Sequence, residues 1–305
     1  MIVDGVISVI IVNFNAGKLL TECVHSVLAS TVPVIVYVVD NASQDDSLSI
    51  LEQAMDKKRV HILKNRENIG FASAANLVLP RISSEYLLFL NPDCLISPDT
   101  LARFVKVMDS HPQAGMAGGL VRNIDGSEQV ACRRAVPTPW RTFVRICHLD
   151  KLFPKCCQNF ELHNQPLPVH PIEIEGISGA CMFVRRSALE RVGPMDEAYF
   201  LHCEDIDWFM RFRAQQLKIL FIPDIEVVHV KGGCSHKEPI RVLWYKHRGM
   251  VRFYRKFFRD DYPLLLFWAV IVVVWVRFAF LAMLIPMLKG RNSRPSPLKN
   301  RENPP

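Results

Sequence analysis

The sequence lacks the glycine-rich signatures that mark two large nucleotide-binding classes. After the first apolar run the chain reads NFNAGKLL, with no G-x-G-x-x-G and no leading glycine of a Walker-type loop ahead of Gly17-Lys18. Dinucleotide-dependent dehydrogenases and P-loop enzymes are therefore set aside. No two of the nine cysteines, Cys23, Cys94, Cys132, Cys147, Cys156, Cys157, Cys181, Cys203 and Cys234, stand at C-x-x-C spacing. Neither a zinc-type site nor a regular disulfide framework follows, and reduced thiols in a cytosolic compartment are expected. The opening MIVDGVISVIIVNFN has an early acid and no basic leader, so a first strand is expected there rather than a signal peptide. Internal repeats are missing too, and the one biased segment is a Pro/Asn/Arg-rich tail after Lys289.

What is present is a chain of 305 residues, 50% hydrophobic, enough for one large α/β unit with an appendage. The net charge of +7 is concentrated toward the C-terminus, where Arg252, Arg255, Lys256, Arg259, Lys289 and Arg291 flank an apolar stretch. That placement favours a membrane surface over a nucleic-acid groove, and no nucleic-acid partner is expected.

Continuous apolar runs at 6–12, 34–39, 60–63, 86–90 and 114–120 have the pattern of buried parallel strands. The segments between them, 19–29, 47–55, 71–79 and 98–108, read as crossover helices, giving a doubly wound, nucleotide-binding half. From 121 to 171 the pattern gives way to a polar, proline-punctuated segment, expected to be a substrate wall or lid. Strands at 180–184, 219–222 and 227–228 and helices at 187–192 and 205–216 follow. The apolar stretch 263–288 is long enough, at about 1.5 Å per residue, to cross a hydrocarbon core of roughly 30 Å. Arg277 splits it, leaving a re-entrant or interfacial arrangement open beside a full span. Upstream, 245–258 is basic and aromatic, suited to lying on anionic headgroups.

Three polar stations close apolar runs or open a helix: Asp40 after VIVYVV, Asn91-Pro92-Asp93 after YLLFL, and Glu204-Asp205 within FLHCEDIDW. The crevice beyond the carboxyl ends of strands is where open α/β sheets bind ligands, and carboxylates there suit a metal, a ribose and a proton. Taken singly, each has a plainer reading as a turn former or a helix cap.

The segments SVIIVNFNAGKLLTECVHSVL, VVDNASQDDS, NRENIGFASAANLVL, LLFLNPDCLISPDTL and GISGACMFVRRSALERVGPMDEAYFLHCEDIDW, with VVHVKGG, together resemble glycosyltransferase family 2, nearest its bacterial rhamnosyltransferase-like branch. The resemblance covers about 6 to 235. It implies a GT-A fold, a Rossmann-like mixed sheet, here with a C-terminal membrane-associated helical segment. It also implies inverting transfer of a sugar from a nucleoside diphosphate. The nucleotide-sugar positions it implies are Asn13, Asn15, Asp40, Asn41, Asn68, Gly70 and Asn91. The metal positions are Asp93 and His229, for Mg²⁺ or Mn²⁺, and the catalytic pair is Glu204 and Asp205. Asn91 stands where the stricter motif has a carboxylate.

The expected division is 1–120 for the nucleotide-sugar half, 121–240 for the acceptor-binding and catalytic half, and 241–305 for membrane attachment. The acceptor hydroxyl must lose a proton as it attacks, which calls for a carboxylate opposite the leaving diphosphate. Asp205 is the expected base, with Glu204 and Asp207 as competitors. The expected donor is dTDP-L-rhamnose and the acceptor a lipid-linked or envelope glycan, at the cytoplasmic face of a bacterial membrane. A UDP-hexose or UDP-galactofuranose donor, or an inactive scaffold of a glycan-assembly complex, stands as the alternative.

Overall fold

The computed structural model describes residues 5–146, 162–163, 165–230 and 239–292. The first four residues, Cys147, the Cys156-Cys157 pair, Cys234 and the tail beyond 292 lie outside the described residues. The expected first strand is β1 (Ile7–Asn13), and β2 (Val34–Asp40), β3 (Val60–Lys64) and β4 (Tyr86–Leu90) match the apolar runs closely. These four pair in parallel, in the order β3-β2-β1-β4. Helices α1 (Lys18–Leu28), α2 (Ser47–Ala54) and α3 (Phe71–Asn76) lie in the connections between them, and α4 (Thr100–Ser110) follows the short strand β5 (Cys94–Ile96).

Beyond β4 the sheet ceases to be parallel. Strand β10 (Cys181–Arg185) runs antiparallel between β4 and β6 (Ala114–Arg122), so the run at 114–120, expected among the parallel strands, is reached across a reversed neighbour. The two strands expected at 219–222 and 227–228 are one, β11 (Lys218–His229), parallel to β6 with an irregularity between Ile222 and Glu226. Pro223 lies in that break, where its missing N–H costs the ladder nothing. The far edge is β5, antiparallel to β11. β8 (Ile172–Glu173) also pairs with β11, while β7 (Arg133–Arg134) and β9 (Gly176–Ile177) form a separate ribbon. Thus part of the 121–171 segment expected to be irregular is ordered by β7 and by α5 (Pro139–Ile146).

Strand periodicity of two divides the core between the sheet faces. Val9, Ile11, Leu88 and Leu90 pack with Leu20, Val24, Leu101 and Phe104 of α1 and α4. Their neighbours Ile10, Val12, Leu87 and Phe89 face the other layer, with Trp208, Phe209 and Phe212 of α7 (Glu204–Ala214). Trp208 is fully buried, edge-on to Phe89 at 5.2 Å, and donates its Nε1–H to Gly193 O at 3.0 Å. The Arg185-Arg186 pair, between β10 and α6 (Arg186–Val192), donates to backbone carbonyls: Arg185 to Met108 O and Arg186 to Ser84 O.

The C-terminal helices α8 (Pro239–Phe257) and α9 (Leu264–Asn292) belong to the same core. Phe253 and Tyr254 of α8 and Phe267, Val270, Ile271 and Val274 of α9 are buried against the α7 layer. The basic segment expected to lie on headgroups is therefore half embedded in protein. Arg277 is not isolated in the apolar helix, since its Nη1 donates to Nε2 of the buried His247 at 3.1 Å, whose Nδ1–H donates to Leu243 O. Among the described residues one helix, Leu264–Ile285, with mean hydropathy 2.6, is long and apolar enough to cross a membrane by length and composition. Its outward stripe, Leu265, Trp268, Val272, Val276 and Phe280, is exposed. The five cysteines among the described residues, Cys23, Cys94, Cys132, Cys181 and Cys203, are free and buried.

Candidate active site

The register that pairs Asn13 with Asp40 sets both at the carboxyl ends of adjacent strands. Asn13 Nδ2 reaches Asp40 Oδ1 at 2.7 Å and the hydroxyls of Ser43 and Ser47 at 3.0 and 2.9 Å, and Asp40 Oδ2 accepts the Ser43 N–H at 3.1 Å. Asn13 Oδ1 is buried with no hydrogen-bond partner among the described residues. Asp40 is nearly enclosed, yet a carboxylate has about four acceptor positions, so capacity remains for a ligand. Asn15, in the left-handed region at φ 56°, accepts the Gln44 N–H through Oδ1 and so ties the first strand end to the second. Asn41 donates to Gly70 O at 3.0 Å and accepts from Asn65, while Asn68 Oδ1 accepts the Gly70 N–H. Gly70 has φ +89°, and a Cβ there would lie 2.5 Å from Phe200 O. Only glycine lets this loop touch the segment that leads into Glu204.

Asp93 and His229 meet because β5 and β11 pair: His229 stands opposite Cys94, and Val230 N–H donates to Asp93 O. His229 Nε2 lies 3.0 Å from Asp93 Oδ1, and Nδ1 lies 2.7 Å from Oε1 of the buried Gln129. The Gln129 amide nitrogen donates to Asn123 Oδ1 at 3.0 Å, so its oxygen faces the ring and Nδ1 carries the proton. That tautomer leaves a lone pair at Nε2 directed toward a carboxylate oxygen. With Nε2 protonated the contact is an ion pair; with Nε2 bare the two acceptors suit a shared cation, since neighbouring ligands of an octahedral ion at about 2.1 Å stand about 3 Å apart. The donor set fits Mg²⁺ or Mn²⁺. Cys94 Sγ completes a cluster whose ligand atoms lie within 4.8 Å of one another; burial pushes its thiol well above the ordinary range, and its soft sulfur matches Mg²⁺ or Mn²⁺ less well than oxygen and imidazole do.

Glu204 and Asp205 open α7 after two consecutive non-glycine residues in the left-handed region, His202 at φ 67° and Cys203 at φ 74°. Such conformations cost of the order of 1 kcal/mol or more each and persist where surrounding structure imposes them. The Asp205 carboxylate is ion-paired with Arg134, whose guanidinium also lies over the Phe209 ring. Glu204 is buried with Oε2 unpartnered among the described residues, and burial first, then the charge of Asp205, pushes its carboxyl up to about 8. Asp207 is wholly buried and bridged to Arg211 and Lys256, a structural ion pair.

The three stations share one edge. Asn91 N–H donates to Ala180 O, and a Cβ on the adjacent Gly179 would lie 2.8 Å from Asp205 Oδ2. Phe71 N–H donates to Phe200 O, closing the other side. Gln129 and Arg134 carried no sequence signal. Both lie in the segment that has no strand or helix periodicity, and each acts on a residue far along the chain.

A sequence profile described as Glycosyl transferase family 2 matches residues 8–193. The N-acetylglucosaminyl-diphospho-decaprenol L-rhamnosyltransferase of Mycobacterium tuberculosis is 26% identical over 255 residues, covering 80% of this chain and 82% of that protein. Two solved structures share the fold: GalNAc-T7 with UDP, GalNAc and Mn²⁺, and the mannosyltransferase PcManGT of Pyrobaculum calidifontis with GDP-Man and Mn²⁺. The first has a TM-score of 0.60 at 17% identity over 82% of this chain and 48% of its own. The second has a TM-score of 0.56 at 17% identity over 95% of this chain and 76% of its own. The mixed sheet described above is thus of the GT-A type.

Proposed function

This chain belongs to glycosyl transferase family 2, and we propose that it is an inverting transferase carrying L-rhamnose from dTDP-L-rhamnose to a lipid-linked or envelope glycan at the cytoplasmic face of a bacterial membrane. The Asp93–His229 pair, held in one tautomer by Gln129 beside the strand-end asparagines, is the observation that carries the transferase reading. The mycobacterial relative supports rhamnose and a lipid-borne acceptor. The membrane setting is supported by the exposed stripe of α9.

In this reading Asn13, Asn15, Asp40, Asn41, Asn68 and Gly70 cradle the nucleotide, and Asn91 faces its ribose or sugar. The acceptor oxygen forms a bond to the anomeric carbon as the bond from that carbon to the diphosphate oxygen breaks. The electron pair leaves on the diphosphate, and the hydroxyl proton passes to Asp205. Arg134 holds the Asp205 carboxylate in place through their ion pair. Glu204, with its raised pKa, is protonated near neutrality and can donate a hydrogen bond to a sugar oxygen, so neighbouring carboxylates take opposite roles. Asp93 and His229 would hold Mg²⁺ or Mn²⁺, which when bound supplies Lewis-acid stabilisation to the departing diphosphate.

Calorimetry on the detergent-purified chain with dTDP, UDP and GDP in the presence of Mn²⁺ tests the donor. Tightest binding of dTDP is expected. A preference for UDP moves the assignment to hexose or galactofuranose donors, a preference for GDP refutes both the dTDP and the UDP donors, and no nucleotide binding at all refutes the enzyme.

A further inference from the structure

Next to the Glu204–Asp205 turn lies a cavity of about 960 Å³. Its floor is the loop from Tyr199 to His202, which runs directly into Glu204. One wall is a single stripe of α8, in which Tyr245, Arg248, Arg252 and Arg255 follow at helical spacing, and Trp275 of α9 bounds the other side. The stripe approaches the loop closely because Gly249 stands beneath it, where a Cβ would lie 2.8 Å from His202 O.

The charges in this cavity do not cancel. Arg252 and Lys256 are ion-paired with Asp196, and Lys256 also with Asp207. Arg248 and Arg255 are exposed and have no carboxylate partner among the described residues; Arg255 lies over the Trp268 ring at 5.8 Å. The lining carboxylate, Glu197, accepts from Asn76 Nδ2 at 3.0 Å and is ion-paired with neither arginine; guanidinium forks match phosphate oxygens in two-point geometry, so the two unpaired forks suit an anion. Tyr245 stacks on Phe200 at 4.2 Å, giving an aromatic face between the arginines and the loop.

Position identifies which anion. The donor's diphosphate belongs at the strand ends with Asp93 and His229, whereas this cavity is lined by the loop that leads into Glu204, by α8 and by Trp275 of α9, and by none of the strand-end residues. Trp275 belongs to the helix whose outward stripe of Leu265, Trp268, Val272, Val276 and Phe280 is exposed and apolar. A ligand that fills both features carries phosphate at one end and hydrocarbon beyond it.

We propose that the cavity binds the phosphate-bearing head of the lipid-linked acceptor. Arg248 and Arg255 take phosphate oxygens, the sugar extends toward Asp205, and the hydrocarbon follows the exposed stripe of α9. The proposal rests on the transferase reading and gives its acceptor a binding site.

The test uses the full chain in dodecyl maltoside, with farnesyl diphosphate as probe, and compares wild type with an Arg248→Gln/Arg255→Gln double variant. Nucleotide binding is read on the same samples. Wild type is expected to bind farnesyl diphosphate saturably and more tightly than farnesol or inorganic pyrophosphate. The double variant should bind it at least about tenfold more weakly, the scale of one lost charge-assisted hydrogen bond, while retaining nucleotide binding. Equal affinity in the two proteins overturns the proposal. So does pyrophosphate binding as tightly as the lipid, which makes the cavity a free-anion site. An equal loss of attachment to phosphatidylcholine vesicles containing phosphatidylglycerol also overturns it, reducing the arginines to a general headgroup contact. If the double variant loses nucleotide binding through misfolding, the single Arg248→Gln change at its exposed position is read by the same criteria. Failure of wild type to bind nucleotide counts against the transferase reading instead.

Discussion

Replacing Gln129 with Leu tests the chemistry assigned to the Asp93–His229 pair without touching either residue. Gln129 is buried and accepts the His229 Nδ1–H at 2.7 Å while its own nitrogen donates to Asn123 Oδ1. Leucine fills comparable space and removes both bonds, together with the longer one from the amide nitrogen to His229 O at 3.5 Å. The imidazole then loses the acceptor that fixes its tautomer, and the Nε2 lone pair toward Asp93 is no longer guaranteed. Partners of this kind contribute about 10–100-fold to metal affinity, equivalent to about 1.4–2.7 kcal/mol. A stability loss of about 1–3 kcal/mol accompanies it, because Asn123 and the His229 ring each lose a partner. Mn²⁺ titration followed by electron paramagnetic resonance on folded protein reads the affinity directly. The half-saturating Mn²⁺ concentration should rise by the stated factor in Gln129→Leu and recover in Gln129→Glu, which keeps the acceptor. An unchanged titration in a folded Gln129→Leu protein refutes the tautomer argument, and wild type that binds no Mn²⁺ refutes the metal assignment itself.

Asp93→Ala should abolish transfer with the fold intact, and turnover at the wild-type rate sinks its role. Asp205→Asn keeps the shape but not the proton acceptor, so turnover should fall by about 10²–10⁴-fold with nucleotide binding preserved; a larger loss in Glu204→Gln at matched stability exchanges the two roles. The Glu204 carboxyl is raised from 4.5 to about 8 on folding, so its stabilising effect is complete below about pH 4.5 and is lost as pH rises toward 8. Thermal melts of wild type should therefore fall in Tm across that window relative to Glu204→Gln, and parallel profiles refute the shift. Glutamate at Val272 and Val276, both exposed, should weaken membrane flotation by about 2.5–3.5 kcal/mol per charge with the fold unchanged. Full retention on membranes would show that the stripe does not face lipid.

The alternation of apolar strands with helices, the polar ends of those strands and the long C-terminal apolar run were all legible in the sequence, because each is a local property. Period-two burial needs only neighbouring residues, and Asp40 and Asn91-Pro92-Asp93 stand immediately after runs that had to be strands. What the sequence left open depended on pairing between distant segments. A three-residue strand such as β5 has no periodicity to read, yet its antiparallel register on β11 is what brings His229 to Asp93. Gln129 lies 100 residues from the histidine it orients, and Arg134 lies 71 from Asp205. Neither has a partner until the polar segment after β6 folds back on the sheet edge. Burial separated the acids that composition made equivalent: Asp207 became a structural ion pair, Asp205 kept Arg134, and Oε2 of Glu204 was left without a hydrogen-bond partner among the described residues. Packing likewise decided the fate of Arg277, which reads as a charge stranded in an apolar helix until His247 of the neighbouring helix takes its proton donor. Hydrophobic pattern thus fixes which residues leave water, whereas the partners of polar groups are set by long-range register, which no single segment encodes.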